Sequence, residues 1–373
     1  MQDSWGRQLR MSARFAGSAG ADWPAPSRIF VIVMRRLGDV LLTTPLLRTL
    51  RSGFPQAAID VLVFRGTEGM LAGNSDINAV LTLPQHPRLG ETIALVHRLW
   101  RRYDLAISTQ AGDRPTFLAF AAGHRRIGLV PAEGGGWKRR VLDHAVPAEP
   151  EIHRIVELLR LVECLGIVPR PELVCPTASP RAAALADVPS GRYAVLHANP
   201  MFRFRRWTDA GWRTLVRALA QRGLGVVVTG GPDAAERAYL DQVWQSAEPA
   251  VVRLDGKLDW PALADLLRGA AVYVGPDTSM THLAAASGCP TVALYGPASP
   301  SLIGPWPVGG LDAPWARAGT IQHRGNVWVV QNPLPCMPCD KLGCERHLES
   351  YSRCLDELPA SQVLAAVDQA LRR

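Results

Sequence analysis

Two carboxylates stand at the starts of two predicted helices, each just after a short β-rich run. Asp39 lies in RRLGDVLLTTPLLRTL (Arg35–Leu50), and Asp277 lies in VGPDTSMTHLAAASG (Val274–Gly288). An ionised carboxylate at such a turn can take the proton of an alcohol and so make it a nucleophile. Thr278, Ser279 and Thr281 follow Asp277. Their hydroxyls join the unpaired N–H groups of a helix start, a combination suited to phosphate oxygens. Asp277 itself would fix the loop or receive a sugar hydroxyl. A third stretch, HANPMFRFRRWTDAGW (His197–Trp212), offers Arg203, Arg205 and Arg206 just before a helix. Guanidinium forks match phosphate geometry. Read singly, each segment is equally a helix cap, a solvated basic loop or, for His282, a buried core histidine.

The elements that must position these residues alternate in a βαβ rhythm, twice. In the first series the spacing predicts strands over 28–34, 59–64, 79–83, 104–108 and 126–129, with one helix from Val40 to Arg51. A proline-bearing stretch from Pro169 to Gly191 separates it from the second series. That series has strands over 193–197, 225–229, 251–254, 272–275 and 292–295, and helices near 208–222, 233–247, 260–268 and 279–288. The fold class is therefore α/β, with two Rossmann-like, doubly wound parallel-sheet domains facing a central cleft. Their expected bounds are 28–180 and 190–356. Residues 1–27 lack the apolar stretch of a secretory signal and read as a poorly ordered leader.

The chain has 373 residues, 47% of them hydrophobic, enough apolar material for two cores. Its 41 Lys and Arg against 33 Asp and Glu favour an anionic partner, whether nucleotide phosphate, nucleic acid or an acidic membrane surface. Nucleic acid is disfavoured, because aromatic residues are 7% of the chain and do not interleave with the basic clusters. Apolar runs such as Thr116–Gly123 fall short of the roughly 20 residues needed to span a bilayer. Seven cysteines, an odd number, suit a reduced compartment, and cytoplasm is expected. Four of them, Cys336, Cys339, Cys344 and Cys354, follow a C-x2-C-x4-C-x9-C spacing that could hold structural zinc or iron, or be buried thiols.

Taken together, the segments resemble the glycosyltransferase family 9 enzymes, the lipopolysaccharide heptosyltransferases. The resemblance runs from Arg28 onward. It rests on Gly38-Asp39-Val40 with Thr44-Pro45, on Arg206-Trp207-Thr208 with Trp212, on Asp277-Thr278 with His282-Leu283-Ala284-Ala285, and on Tyr295-Gly296-Pro297 with Pro300. It implies a GT-B fold, with an acceptor domain first, a sugar-nucleotide domain second, and a last helix (357–373) packing back on the first domain. It also implies an inverting transfer of heptose from ADP-L-glycero-β-D-manno-heptose to the inner core of lipopolysaccharide, with no cofactor required for catalysis. Asp39 occupies the position of the family's base. Arg206 stands where many members carry a lysine that contacts the donor diphosphate.

By the same resemblance the donor side comprises Gly38, Asn199, Arg203, Gly230, Glu236, Asp277, Thr278, Ser279 and His282, with Glu236 receiving ribose hydroxyls. Ser279 replaces a common glycine. Arg125, Arg126, Lys138, Arg139 and Arg140 are expected to meet the lipopolysaccharide acceptor. The protein would then work in the cytoplasm, in peripheral contact with the inner membrane of a Gram-negative bacterium. No D-x-D triplet occurs, so cations and helix dipoles would do the work that a divalent metal does in many sugar-nucleotide transferases. Two alternatives stand beside this reading: a GT-B transferase with another nucleotide sugar, and a nucleotide-sugar-binding protein that has lost turnover.

Overall fold

The computed structural model describes residues 24–177, 182–245 and 249–372, so most of the expected leader lies outside the described residues. The chain divides into two units at Val174/Cys175, within the proline-bearing stretch. Among the described residues no helix is long and apolar enough to cross a membrane.

The first unit is a six-stranded parallel sheet. In chain order its strands are β1 (Arg28–Val33), β2 (Ala58–Phe64), β3 (Ala79–Leu83), β4 (Tyr103–Ser108), β5 (Gly123–Val130) and β6 (His144–Pro147), arranged β3-β2-β1-β4-β5-β6. β1 runs down the centre, Val31 pairing with Val61 on one side and Ile107 on the other. Ile29, Phe30, Val31 and Ile32 are fully buried, as expected where helices cover both faces of a parallel sheet.

Where one helix is expected after β1, there are two, α1 (Leu37–Leu42) and α2 (Thr44–Gly53). Pro45 supplies the reason. It has no N–H to return to the Leu41 carbonyl, so that carbonyl takes the Thr44 hydroxyl instead, at 2.8 Å. The Thr43 hydroxyl donates to the Asp39 carbonyl at 2.7 Å. The pair of threonines before the proline thus satisfies the backbone at the break and fixes the turn that carries Asp39. Further helices are α3 (Leu89–Leu99), α4 (Asp113–Ala122), α5 (Gly136–Val141) and α6 (Arg154–Leu159).

The second unit is a seven-stranded sheet of β7 (Tyr193–His197), β8 (Gly225–Thr229), β9 (Val252–Arg253), β10 (Val272–Pro276), β11 (Thr291–Leu294), β12 (Ile321–Arg324) and β13 (Val327–Val330). Their order is β12-β13-β11-β10-β7-β8-β9, parallel except for the β12–β13 pair. That hairpin is absent from the sequence expectations. Its signal is Gly325-Asn326, a two-residue loop in which Gly325 adopts a φ of 51°.

The helices are α7 (Asp209–Gln221), α8 (Ala234–Trp244), α9 (Trp260–Gly269), α10 (Ser279–Ala286) and α11 (Ala360–Leu371). Thr208, Asp233, Asp259 and Thr278 cap the first four, each side chain accepting a hydrogen bond from the first turn. α11 packs within the second unit. Its Val363, Ala366, Val367 and Ala370 are buried in the same core as Leu196, Leu215 and Trp328, and it packs on α7, β10, β11 and β13. The Arg222–Asp368 ion pair at 2.7 Å and the bond from Trp328 Nε1 to Gln369 further tie it to the second unit.

Candidate active site

Asp39 sits in the first turn of α1, beyond the carboxyl end of the central strand, where doubly wound sheets bind ligands. Its side chain is 14% exposed, and its Oδ1 stands 4.0 Å from both Arg154 Nε and Arg35 Nη1. Arg154, at the start of α6, is itself buried. It forms an ion pair with Glu157 and donates to the Thr109 carbonyl at 2.7 Å, while its Nε has no hydrogen-bond partner. Burial lowers the pKa of this guanidinium, against the opposing pull of Glu157 and Asp39.

Thr109 is fixed in turn by its hydroxyl, which donates to the Ile32 carbonyl at 2.7 Å. The ends of β1 and β4 therefore hold Asp39 and Arg154 in one frame. Arg35, 4.0 Å from Asp39, also lines a cavity of about 400 Å³ with Met34, Phe64, Gln110, Arg114 and Pro115 among others. The Gln110 side-chain amide is buried there with no partner for Nε2.

The five basic residues expected to meet the acceptor are differently placed. Arg126 is committed to Asp143 at 2.9 Å. Lys138 is buried, donating to the Ala111 carbonyl at 2.6 Å and pairing with Asp113 at 2.9 Å. Arg139 donates to the carbonyls of Pro131 and Gly134. Arg125 is half-buried and Arg140 is exposed. Only Lys138 reaches the cavity rim, through Ala111, which lines it. Arg154, Gln110 and Arg114 are absent from the sequence expectations. Their signal is topological, since only the parallel pairing of β4 with β1 brings Thr109, Gln110 and the α6 start to Asp39.

In the second unit the loops after β7, β8 and β10 carry the expected donor residues. Asp277 is buried, and its Oδ2 forms an ion pair with Arg205 at 2.9 Å. Arg205 also donates to the Asp277 carbonyl at 3.0 Å, and Tyr295 OH donates to Oδ1 at 3.3 Å. Burial, then the neighbouring Asp277, raises the Tyr295 phenol well above its ordinary value, so it stays a donor. His282 is buried 4.0 Å from Asp277. Asp277 thus anchors the arginine loop. The Thr281 hydroxyl is also occupied within the fold, by Tyr273 OH and the Pro276 carbonyl. Thr278 and Ser279 remain half-exposed at the start of α10.

Arg206 donates to Asn199 Oδ1 at 3.1 Å and lies 3.8 Å from the centre of the Tyr239 ring. Its planar cation is thereby held flat, with one edge on Asn199. Arg203 donates to the Glu349 carbonyl at 3.2 Å. Glu236 Oε1 accepts the Gly231 N–H at 2.8 Å, which braces the glycine turn after β8. A Cβ on Gly231 would sit 2.4 Å from the same carboxylate and would push that side chain off the turn. Next to it, His197 bonds Thr229 Oγ1 at 3.1 Å, and Asp255 is clamped by Arg253 at 2.6 Å with Oδ1 buried and unpartnered.

The cysteine expectation is corrected. All four are free thiols, but no group of three or more His, Cys, Asp or Glu among the described residues is placed to hold a metal ion. Cys354 belongs to the apolar core beside Leu355 and Leu358, and Cys344 Sγ accepts the Arg353 N–H at 3.4 Å. Burial, then the neighbouring Cys339, Cys344 and Cys336, pushes the Cys354 thiol up to about 12, so it stays protonated. His347 pairs with Glu345 at the surface.

Two doubly wound parallel sheets in one chain, each with its polar loops beyond the strands' carboxyl ends, are the architecture of the GT-B fold. The model of glycosyltransferase family 9 (heptosyltransferase) matches residues 92–310, and the chain belongs to that family. Lipopolysaccharide heptosyltransferase 3 of Escherichia coli K12 is 26% identical over 364 residues, spanning 91% of this chain and 96% of that protein. The structure of E. coli ADP-heptose lps heptosyltransferase II aligns at a TM-score of 0.68 and 19% identity, covering 92% of this chain and 98% of that one. E. coli heptosyltransferase WaaC with ADP-2-deoxy-2-fluoro heptose aligns at 0.66 and 19%, covering 92% and 99%.

Proposed function

We propose that this glycosyltransferase moves a heptose from ADP-L-glycero-β-D-manno-heptose to the inner core of lipopolysaccharide in a single inverting displacement, with Asp39 as base. One observation carries the reading: Asp39 presents a carboxylate that stands 4.0 Å from Arg154 and from Arg35, and Arg35 lines a cavity of about 400 Å³. Relatives named lipopolysaccharide heptosyltransferases, and a neighbour solved with an ADP-heptose analogue, support the donor and acceptor classes.

In the proposed step an acceptor hydroxyl attacks the anomeric carbon while its proton passes to Asp39. As the new C–O bond forms, the bond to the β-phosphate oxygen breaks, and ADP leaves with the electron pair. Arg206 and the start of α10 at Thr278 and Ser279 offset the charge that grows on the leaving phosphate. The first unit supplies the base and the acceptor surface, including Arg125 and the Lys138–Arg140 segment. The second supplies the nucleotide contacts, including Gly230, Asn199, Arg203 and Glu236. Such an enzyme works in the cytoplasm, at the inner face of the membrane that carries its acceptor.

The test is ADP release from ADP-heptose with heptose-deficient lipopolysaccharide core. Acceptor-dependent release is expected, with Asp39→Asn abolishing it and leaving ADP binding intact. Release that survives Asp39→Asn would remove Asp39 as base. Absence of release with every truncated core, despite ADP-heptose binding, would remove the acceptor assignment.

A further inference from the structure

On α3, Leu95 and Leu99 face the core, yet Leu89 and Ile93, one turn apart, are 77% and 59% exposed, and Trp100 at the helix end is 56% exposed. A surface helix ordinarily has one apolar stripe, turned inward. α3 has a second one, turned to solvent. The neighbouring α4 adds exposed Phe117, and α5, which packs beside α4, adds exposed Trp137.

The connections β3→β4, β4→β5 and β5→β6 all advance in the same direction along the sheet. Right-handed crossovers then place α3, α4 and α5 on one face. Single exposed apolar residues are ordinary, whereas five large ones on three successive helices of one face mark an interaction surface.

The charges around them choose the partner. Arg88, Arg98 and Arg102 flank α3, Arg114 lies on α4, and Arg139 and Arg140 lie on α5, all six exposed. Of the nearby acids, Asp113 pairs with Lys138 at 2.9 Å, and Glu91, Asp104 and Glu133 keep their charge, so the six arginines outnumber them two to one. Exposed Trp, Leu and Ile ringed by arginine is the chemistry of the bilayer interface, where rings lie at headgroup depth and guanidinium groups meet lipid phosphates.

We infer that the outward face of α3, α4 and α5 docks on an anionic phospholipid bilayer. The surface adjoins the cavity that Arg35 lines next to Asp39, because exposed Arg114 of α4 belongs to both. A glycan rooted in the same bilayer would therefore be presented to the base. That last consequence rests on the proposed heptosyl transfer; the docking does not.

Sedimentation of the full-length protein with phosphatidylcholine vesicles, with and without phosphatidylglycerol, tests the inference. Binding only to the anionic vesicles is expected, weakened by salt. Replacing Ile93 and Trp100 together by serine removes two large apolar contacts and should lower the bound fraction about tenfold or more. Leu89→Ser should lower it less. Val168→Ser, also exposed in the first unit, should leave it unchanged.

Transfer to a short, lipid-free acceptor should be unaltered in all of these variants. Equal binding by the native protein and the double variant, or binding to neither vesicle, overturns the inference. So does a native dimer that the double variant dissolves, which would give the surface to a second copy. Failure of the native protein to act on the lipid-free acceptor would count against heptosyl transfer and leave the vesicle result standing.

Discussion

Asp39 and Asp277 occupy matching places in the two units, each just beyond a buried parallel strand and each beside an arginine, yet their carboxylates are held differently. Asp277 is in contact with its arginine at 2.9 Å and also accepts from Tyr295. Asp39 stands 4.0 Å from two guanidinium groups, and no hydrogen bond reaches its carboxylate from the described residues. A carboxylate buried in contact with its cation holds a loop; one that stands off from its cations is open to take a proton. The two sequence motifs look alike, and the distance from carboxylate to cation is what separates them.

Exchanging each aspartate for asparagine should break the comparison most sharply. Asp39→Asn keeps shape and removes the base, so transfer should fall about 10³-fold with little change in the urea midpoint. Asp277→Asn leaves Arg205 without its anion and should cost about 3 kcal/mol of stability, read from the same urea curves. Equal loss of stability in both would erase the distinction.

Arg154 sharpens it from the other side. It is buried, paired with Glu157 and 4.0 Å from Asp39, which on the proposed mechanism makes it a positioning residue. Arg154→Lys should lower kcat about tenfold while leaving the KM for donor unchanged, because a point charge cannot hold Glu157, the Thr109 carbonyl and Asp39 at once. A change in donor KM alone would assign Arg154 elsewhere.

Arg206 in the second unit should show the reverse split. Its guanidinium is stacked on Tyr239 and bonded to Asn199, so Arg206→Ala should weaken ADP binding about tenfold. Calorimetric titration with ADP would read it. Arg206→Lys should keep part of that affinity, since the family resemblance places lysine here in many members.

Much of the fold was legible, because each strand of the first series is a continuous apolar run closed by a turn and each long helix of the second carries its own cap. The halves of a βαβ rhythm are local signals. The break at Thr43–Pro45 is also local, but its effect depends on which hydroxyl takes the Leu41 carbonyl. The site was legible only where its residues lie in one turn, as do Gly38 with Asp39 and Thr278 with Ser279. Arg154 was not, since it meets Thr109 and Asp39 only through segments distant in the chain, and the clamp of Arg253 on Asp255, though local, matches no motif. The basic cluster at Arg125–Arg140 shows the converse. Adjacent charges suggest a ligand site, yet Asp143, Asp113 and loop carbonyls occupy several of them.

The smallest effect concerns two histidines, one per unit. Burial lowers the pKa of His144 in the first unit and His197 in the second below the ordinary value of 6.5, with Glu236 and Asp255 opposing the shift at His197. Each therefore stays neutral in the fold while its unfolded counterpart takes up a proton below that value. The sign follows: stability is full above pH 6.5 and falls as pH drops from there toward the folded value, by up to about 1.4 kcal/mol per pH unit for the buried His197 and by less for the half-buried, solvent-screened His144. His197 bonds Thr229 at the carboxyl end of β8, whereas burial is the one resolved cause at His144. His197→Gln should therefore flatten the loss between pH 6.5 and 5.5 while also lowering stability at pH 7.5, and His144→Gln should flatten it with less cost at pH 7.5. Urea unfolding at the three pH values decides it; a native protein equally stable at all three would show that neither histidine is held neutral.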